Sequence, residues 1–288
     1  MSIYLITPER AEDLDTVLEA LTGWQVGGAP MQLHPGDVGW FWRFGAEATA
    51  RALRVWRRGS EDLAVALLDG PGLVRVAIAP DRQQDAELAT RVAEDISDPA
   101  RGIFPAGEAA VETPARAVVR DALRGRGWAQ GEPWIALSRD LSPPVEDCGL
   151  TIDPVGPAQA ETWAEINRSA FGANASGADR WHAMAGGPGF ANARCLLGRD
   201  RAGTAVAAIT VWAAGPGRPG IIEPMGVHRN HRGRGYGRAI TLAGAAALRE
   251  MGASAALVNT ASANAGAVGT YRAAGLVPAP PLRDLVRA

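Results

Sequence analysis

A chain of 288 residues, 47% of them hydrophobic, is long enough to bury the cores of two ordinary domains. Its formal charge of −2 argues against nucleic acid as the main partner, because a phosphate-backbone binder carries a basic surplus. Cys148 and Cys195 are the only cysteines and show no C-x-x-C spacing, which predicts a reducing, cytoplasmic setting and no metal site. The opening MSIYLITPERAEDLD lacks the basic n-region and apolar core of a signal peptide, and no apolar run reaches the ~18 residues of a membrane span, so a soluble protein without a membrane partner is expected.

In chain order, residues 2–6 read as a strand and residues 8–21 as a helix ended by Gly23. The stretch MQLHPGDVGWFWRF is too rich in tryptophan for a solvated loop, so Trp40 and Trp42 are expected to anchor a core or an inter-domain seam. Strands are expected over 53–57, 62–68 and 73–79, then an amphipathic helix over 81–96, a strand over 109–112 and a helix over 114–123, with Gly127 and Trp128 closing this half. The segment DLSPPVEDCG carries adjacent prolines and no periodicity. It predicts domains over 1–140 and 149–288, joined by a linker over 141–148.

The second half follows the same plan. Strand 149–154 and helix 157–170 are followed by strands 193–198, 204–213 and 220–227. Helix 236–251 places Ile240, Ala243, Ala247 and Met251 on one stripe, with Gly252 as C-cap, and is followed by strand 255–258 and a helix over 265–274 ended by Gly275. Strands alternating with helices predict an α/β architecture. Sliding one half on the other places Ile78-Ala79-Pro80 on Val227-His228-Arg229, 149 residues later, and Gly127 on Gly275, 148 residues later.

Chemistry concentrates in GIIEPMGVHRNHRGRGYG, residues 220–237, which runs into an alanine-rich helix. Gly233, Gly235 and Gly237 let the backbone turn tightly and approach a ligand, while the first turn of the helix offers unpaired N–H groups and a positive dipole end. Arg229, Arg232, Arg234 and Arg238 surround the loop, which favours a polyphosphate over a lone carboxylate. No Gly-Lys-Ser or Gly-Lys-Thr triplet supports a Walker loop, and the third glycine of a dinucleotide fingerprint falls on Arg238 or Ile240. A tight strand-to-helix turn with a solvated arginine face is the competing reading.

The stretch from Val227 through R-x-x-G-x-G at Arg232, Gly235 and Gly237 resembles the GNAT superfamily of acyl-CoA-dependent N-acyltransferases, with Arg229 where the family's V-x-P strand end has proline. Asn264, Ala267, Tyr271 and Gly275 match a second family motif, N-x-x-A-x-x-x-Y-x-x-x-G-F, with Leu276 in place of its phenylalanine. The resemblance implies two tandem GNAT-like domains with α+β mixed sheets. It also implies that Arg232, Gly233, Arg234, Gly235, Tyr236, Gly237 and Arg238 hold the pyrophosphate of acetyl-CoA, with Met225, Val227 and Asn264 along the pantetheine. Tyr271 is then the acid that protonates the leaving thiolate. Strand alternation puts Ile221, Glu223, Met225 and Val227 on one face, and Glu223 becomes the candidate base or a structural carboxylate. His228 and His231 fall to the phosphate shell, and His182, with Asp179 and Trp181, to the acceptor side.

In the first half the cradle positions are Gln83, Ala86 and Leu88, and Asp81, Asp85 and Glu87 oppose an anion, so a degenerate domain without a coenzyme site is expected. The expected activity is acetyl transfer to a primary amine of a small molecule. A non-catalytic acyl-CoA sensor and a nucleotide-binding assembly module are the alternatives.

Overall fold

In the computed structural model, which describes residues 2–10, 13–172 and 177–288, the chain divides into two units, each assembled from more than one stretch of sequence. The first comprises Met1–His34, Ala46–Trp134 and Pro281–Ala288; the second comprises Pro35–Gly45 and Ile135–Pro280. The elements run β1 (Tyr4–Ile6), α1 (Leu14–Gly23), α2 (Pro35–Phe41), α3 (Ala46–Ala52), β2 (Leu53–Arg58), β3 (Glu61–Leu68), β4 (Leu73–Ile78), α4 (Ala86–Ser97), β5 (Ala109–Glu112), α5 (Val119–Arg124) and β6 (Ala129–Asp140). They continue as β7 (Thr151–Pro154), α6 (Ala160–Phe171), α7 (Ala178–Ala185), β8 (Ala193–Arg199), β9 (Ala205–Trp212), β10 (Gly220–Val227), α8 (Tyr236–Glu250), β11 (Ala255–Ala261), α9 (Ala265–Ala273), β12 (Val277–Pro278) and β13 (Leu282–Arg287).

Within the first unit, β1 to β4 form an antiparallel run and β4 pairs in parallel with β5. The sheet is completed by the end of the chain: β13 lies between β5 and the first part of β6, with Leu285 opposite Val111 and both fully buried. Helix α4 covers this sheet through Leu88, Ala89, Val92, Ala93 and Ile96, which the i, i+4 period gathers on one face. It also carries Asp95, fully buried, which accepts from Trp56 Nε1 and Arg91 Nε at 2.9 Å each and forms an ion pair with Arg101. A buried carboxylate is tolerable only with such partners.

The second unit repeats the pattern. Strands β7 to β10 are antiparallel, and β10 is parallel to β11. The short β12 pairs with the last part of β6, Val277 opposite Ser138. Helix α8 lies very close on β9, because a Cβ at Gly244 would sit 2.5 Å from the Ile209 side chain. Of the expected stripe, Ile240 and Ala243 are buried and Ala247 and Met251 are half-buried against the same core, and the buried face is wider, taking in Ala239, Thr241, Leu242, Gly244, Ala245 and Leu248. No helix among the described residues is long and apolar enough to cross a membrane.

Several expected elements begin later than the pattern suggests. The helix expected over 8–21 starts at Leu14, and residues 11 and 12 within that range lie outside the described residues. The helix expected from 81 starts at Ala86, because Pro80–Arg82 forms a tight turn and the Asp85 side chain caps the helix by accepting from the Leu88 amide at 2.9 Å. The tryptophan-rich stretch groups with the second unit: Trp42 is buried against Gly187, and Trp40 stacks edge-on against Trp163 at 6.2 Å. A boundary over 141–148 contrasts with the observed units, since β6 continues through Asp140 and Leu141 is buried in the second core.

Candidate active site

Strands β10 and β11 pair at two rungs only, Gly220 with Ala256 and Ile221 with Leu257. Beyond these rungs the ladder stops, although β10 runs on to Val227 and β11 to Ala261; where two parallel strands part, an extended ligand can add hydrogen bonds. On its other side β10 pairs with β9, but with one extra residue between Ile222 and Met225. Trp212 Nε1 donates to the Glu223 carbonyl at 2.8 Å, which ties down this bulge.

The bulge corrects the strand-parity expectation. Ile222 faces Val211 and Met225 faces Ile209, so Ile222, Met225 and Val227 share one face, and Ile221 does not join Met225 and Val227. An inserted residue inverts every orientation that follows it. Met225 and Val227 therefore lie on the face that carries α8. Glu223 is in the bulge itself and half-buried.

After β10 the chain makes a tight turn over Arg229–His231, anchored by the Arg229 amide donating to Ser169 Oγ at 3.0 Å. Gly233 and Gly235 both take left-handed conformations, with φ of 75° and 84°. Around each, the position of an absent Cβ meets nothing within 4 Å. Gly235 is the N-cap of α8 and provides no side-chain acceptor, so the first-turn N–H groups of this 15-residue helix remain available to an anion. Gly237 has a different reason to be glycine: a Cβ there would stand 2.9 Å from Thr270 Cγ2, so its absence lets α8 and α9 approach.

The arginines divide. Arg234 is exposed and forms no ion pair among the described residues. Arg232 donates to the Ala170 carbonyl at 2.9 Å, and Arg238 donates to the Ala273 carbonyl at 2.9 Å while standing 3.5 Å from Glu146. These two brace the loop and α9 as well as adding charge. Tyr236 is half-buried beside His231, with ring centroids 6.4 Å apart, and His228 Nδ1 accepts from the Asn230 amide at 3.3 Å. His182 is on the exposed face of α7, edge-on to the buried Trp181 at 5.2 Å.

Asn264 caps α9 by accepting from the Ala267 amide at 3.1 Å, which commits its Oδ1 and leaves its Nδ2 as a donor. Tyr271 is 7% exposed, and its phenol is pushed well above the ordinary value, first by burial and then by the Glu223 carboxylate. The two residues singled out for proton transfer thus lie within electrostatic reach of each other, and the tyrosine stays protonated at neutral pH. Trp212 and Ser169, which fix the bulge and the turn, escaped sequence reasoning; one is an apolar strand residue and the other a polar helix residue, and neither carries a motif.

The first unit ends its fourth strand differently. Asp85 fills the N-cap of α4, and Asp85 and Glu87 pair with Arg58 at 3.5 and 2.9 Å. The loops that follow β4 and β5 are tied together, Val118 N–H to the Gln83 carbonyl at 3.0 Å and Gln84 Nε2 to the Arg116 carbonyl at 2.8 Å.

Residues 160–276 match the model of the Acetyltransferase (GNAT) family. A mycothiol acetyltransferase from Nocardia farcinica (strain IFM 10152) is 30% identical over 270 residues, covering 75% of this chain and 84% of the relative. Among solved structures, a tandem GNAT protein from the clavulanic acid biosynthesis pathway superposes with a TM-score of 0.61 at 17% identity, covering 99% of this chain and 98% of that one. A GCN5-related N-acetyltransferase from Sphaerobacter thermophilus superposes with a TM-score of 0.57 at 19% identity, covering 99% and 95%.

Proposed function

Because the chain belongs to the GNAT family of N-acetyltransferases, we propose that it moves an acetyl group from acetyl-CoA to a primary amine of a small molecule by direct transfer, using the second unit alone. The observation that carries this reading is the uncapped α8 N-terminus, open at Gly233 and Gly235, together with the β10–β11 ladder that stops at Ile221; the Glu223 charge adds to burial in holding the Tyr271 phenol neutral. The residues present fit the coenzyme: a Cβ at either glycine would occupy empty space at the helix end. Acetyl-CoA supplies an activated thioester.

The first-turn amides of α8, with Arg234 and the braced Arg232, hold the pyrophosphate. Backbone groups of Met225 and Val227 and the Asn264 Nδ2 orient the pantetheine arm. Glu223 takes the proton from the attacking amine, directly or through water, and the Tyr271 hydroxyl gives its proton to the departing sulfur. In the first unit the acidic cap of α4 and the hydrogen-bonded loops argue for a domain without a coenzyme site. Two cysteines without a disulfide favour a cytoplasmic setting.

Free CoA release, followed across a panel of primary amines, tests the reading. A mycothiol-class acceptor belongs first on that panel, given the relative's activity. Amine-dependent release that disappears in Glu223→Gln is expected; acetyl-CoA binding without release for any amine would favour the sensor alternative.

A further inference from the structure

The segment Pro35–Gly45 belongs to the second unit although most of the first unit follows it in sequence, and its helix α2 packs on β9 and β10. Gly39, buried on α2, lies against the Trp212 indole: a Cβ there would stand 2.8 Å from Cε3 and closer still to Cζ3. From a second direction Phe190 stands edge-on to the same ring, with centroids 6.4 Å apart. Gly189, beside it, comes so near α2 that its own Cβ would meet Gly39 Cα at 3.3 Å. Trp212 is 1% exposed, so the indole has no slack in which to move.

The same ring holds the backbone of Glu223. Among the described residues, neither neighbouring strand takes Glu223 or Pro224 into its register, and Pro224 has no N–H to give to a ladder. Trp212 Nε1 reaches across from β9 and donates to the Glu223 carbonyl at 2.8 Å. A strand carbonyl outside its ladder needs a donor, and this donor sits on a ring that cannot shift without moving α2 or Phe190.

We infer that Gly39 and Trp212 are positioning residues for Glu223: α2 sets the place of the indole, and the indole sets the place of the bulge that carries the carboxylate. The inference rests on the reading of Glu223 as the base. In Gly39→Ala the ring must retreat by about 1 Å to restore an ordinary carbon–carbon contact of about 3.5–4.0 Å. The 2.8 Å bond to the Glu223 carbonyl then lengthens out of hydrogen-bonding range. A base misplaced by about 1 Å loses up to about 100-fold in rate, which gives Pro35–Gly45 a task in the chemistry.

CoA release from acetyl-CoA, with ethanolamine as the primary-amine probe, tests this chain of contacts in the full-length protein. Trp212→Phe keeps an aromatic ring against Gly39 and Phe190 and removes the N–H donor; it is expected to lower kcat about tenfold with acetyl-CoA affinity unchanged. Gly39→Ala is expected to lower kcat by roughly 10- to 100-fold and to speed solvent exchange of the Trp212 indole proton, assigned in the NMR spectrum by its loss in Trp212→Phe. In a Glu223→Gln background neither change lowers turnover further, because both act through that carboxylate; a merely structural role would lower both backgrounds alike. Turnover lost in Glu223→Gln but parental in Trp212→Phe and Gly39→Ala overturns the proposal and leaves the base assignment standing. Parental turnover in Glu223→Gln removes the base assignment and the proposal with it. Indole exchange in Gly39→Ala at the parental rate overturns the proposal without reference to any acceptor.

Discussion

Glu223 sits where a strand bulges, with its carbonyl tied to Trp212 and its charge felt by Tyr271. If it accepts the amine proton, Glu223→Gln lowers kcat/KM by roughly 10² to 10⁴, with the loss smallest at high pH where the amine is already neutral. A loss independent of pH, accompanied by a lower Tm, would mark the carboxylate as structural. Tyr271→Phe is expected to keep coenzyme affinity and to lower kcat about ten- to a thousand-fold, since a thiolate leaves fairly well even without a proton donor. Burial and Glu223 both favour the neutral phenol, so its proton is retained on raising the pH through its ordinary value near 10, and no alkaline loss of activity below that pH arises from this group. Turnover unchanged in Tyr271→Phe would reduce the residue to packing. The left-handed turns at Gly233 and Gly235 and the placement of Asn264 and Tyr271 on α9 were legible because backbone conformation and helix period restrict the residue types that fit. The orientation of Met225 was not, because one inserted residue in a paired strand inverts parity without any signal in composition.

At the scale of elements, α8 does two jobs that separate cleanly by glycine. Gly233 and Gly235 open the helix end, whereas Gly237 lets the helix close on α9. Gly237→Val forces Thr270 away and is expected to cost about 1–3 kcal/mol in a urea unfolding curve, with acetyl-CoA affinity falling as the loop shifts. Stability equal to the parent chain would contradict the close approach. Strands with a clear period were legible to within a few residues, whereas the helices expected from 8, 81 and 114 start at Leu14, Ala86 and Val119; α2, α3, α7, β6, β12 and β13 were not anticipated. Pro133 interrupts β6, and a proline inside an apolar run argues against a paired strand. Here it lies opposite Arg283 beside a register shift, the kind of irregularity that accommodates it.

For the whole molecule, the tandem plan was legible from the offsets between halves, but the exchange of segments was not, because which strand finishes a sheet is a tertiary choice. The first unit depends on the last eight residues, Pro281–Ala288, and the second on Pro35–Gly45 and the end of β6. Ending the chain at Pro280 removes the strand between β5 and β6 and exposes the core around Leu285, whose burial alone contributes about 1.5–3 kcal/mol. Thermal unfolding of that truncated chain is expected to show the first unit melting early or already unfolded; a melt like that of the full chain would contradict the assignment of β13. The same exchange means that a fragment beginning at residue 149 lacks α2 and the end of β6, and it is expected to be less stable than the second unit of the full chain.

A crystal structure of the full chain with acetyl-CoA tests the central claim most directly, namely that the second unit alone carries the coenzyme and the chemistry. The pyrophosphate is expected on the amides of residues 233–237, with the pantetheine between β10 and β11 and the thioester beside Glu223 and Tyr271. Acetyl-CoA seated at the start of α4, or a thioester lying away from both Glu223 and Tyr271, would contradict the account.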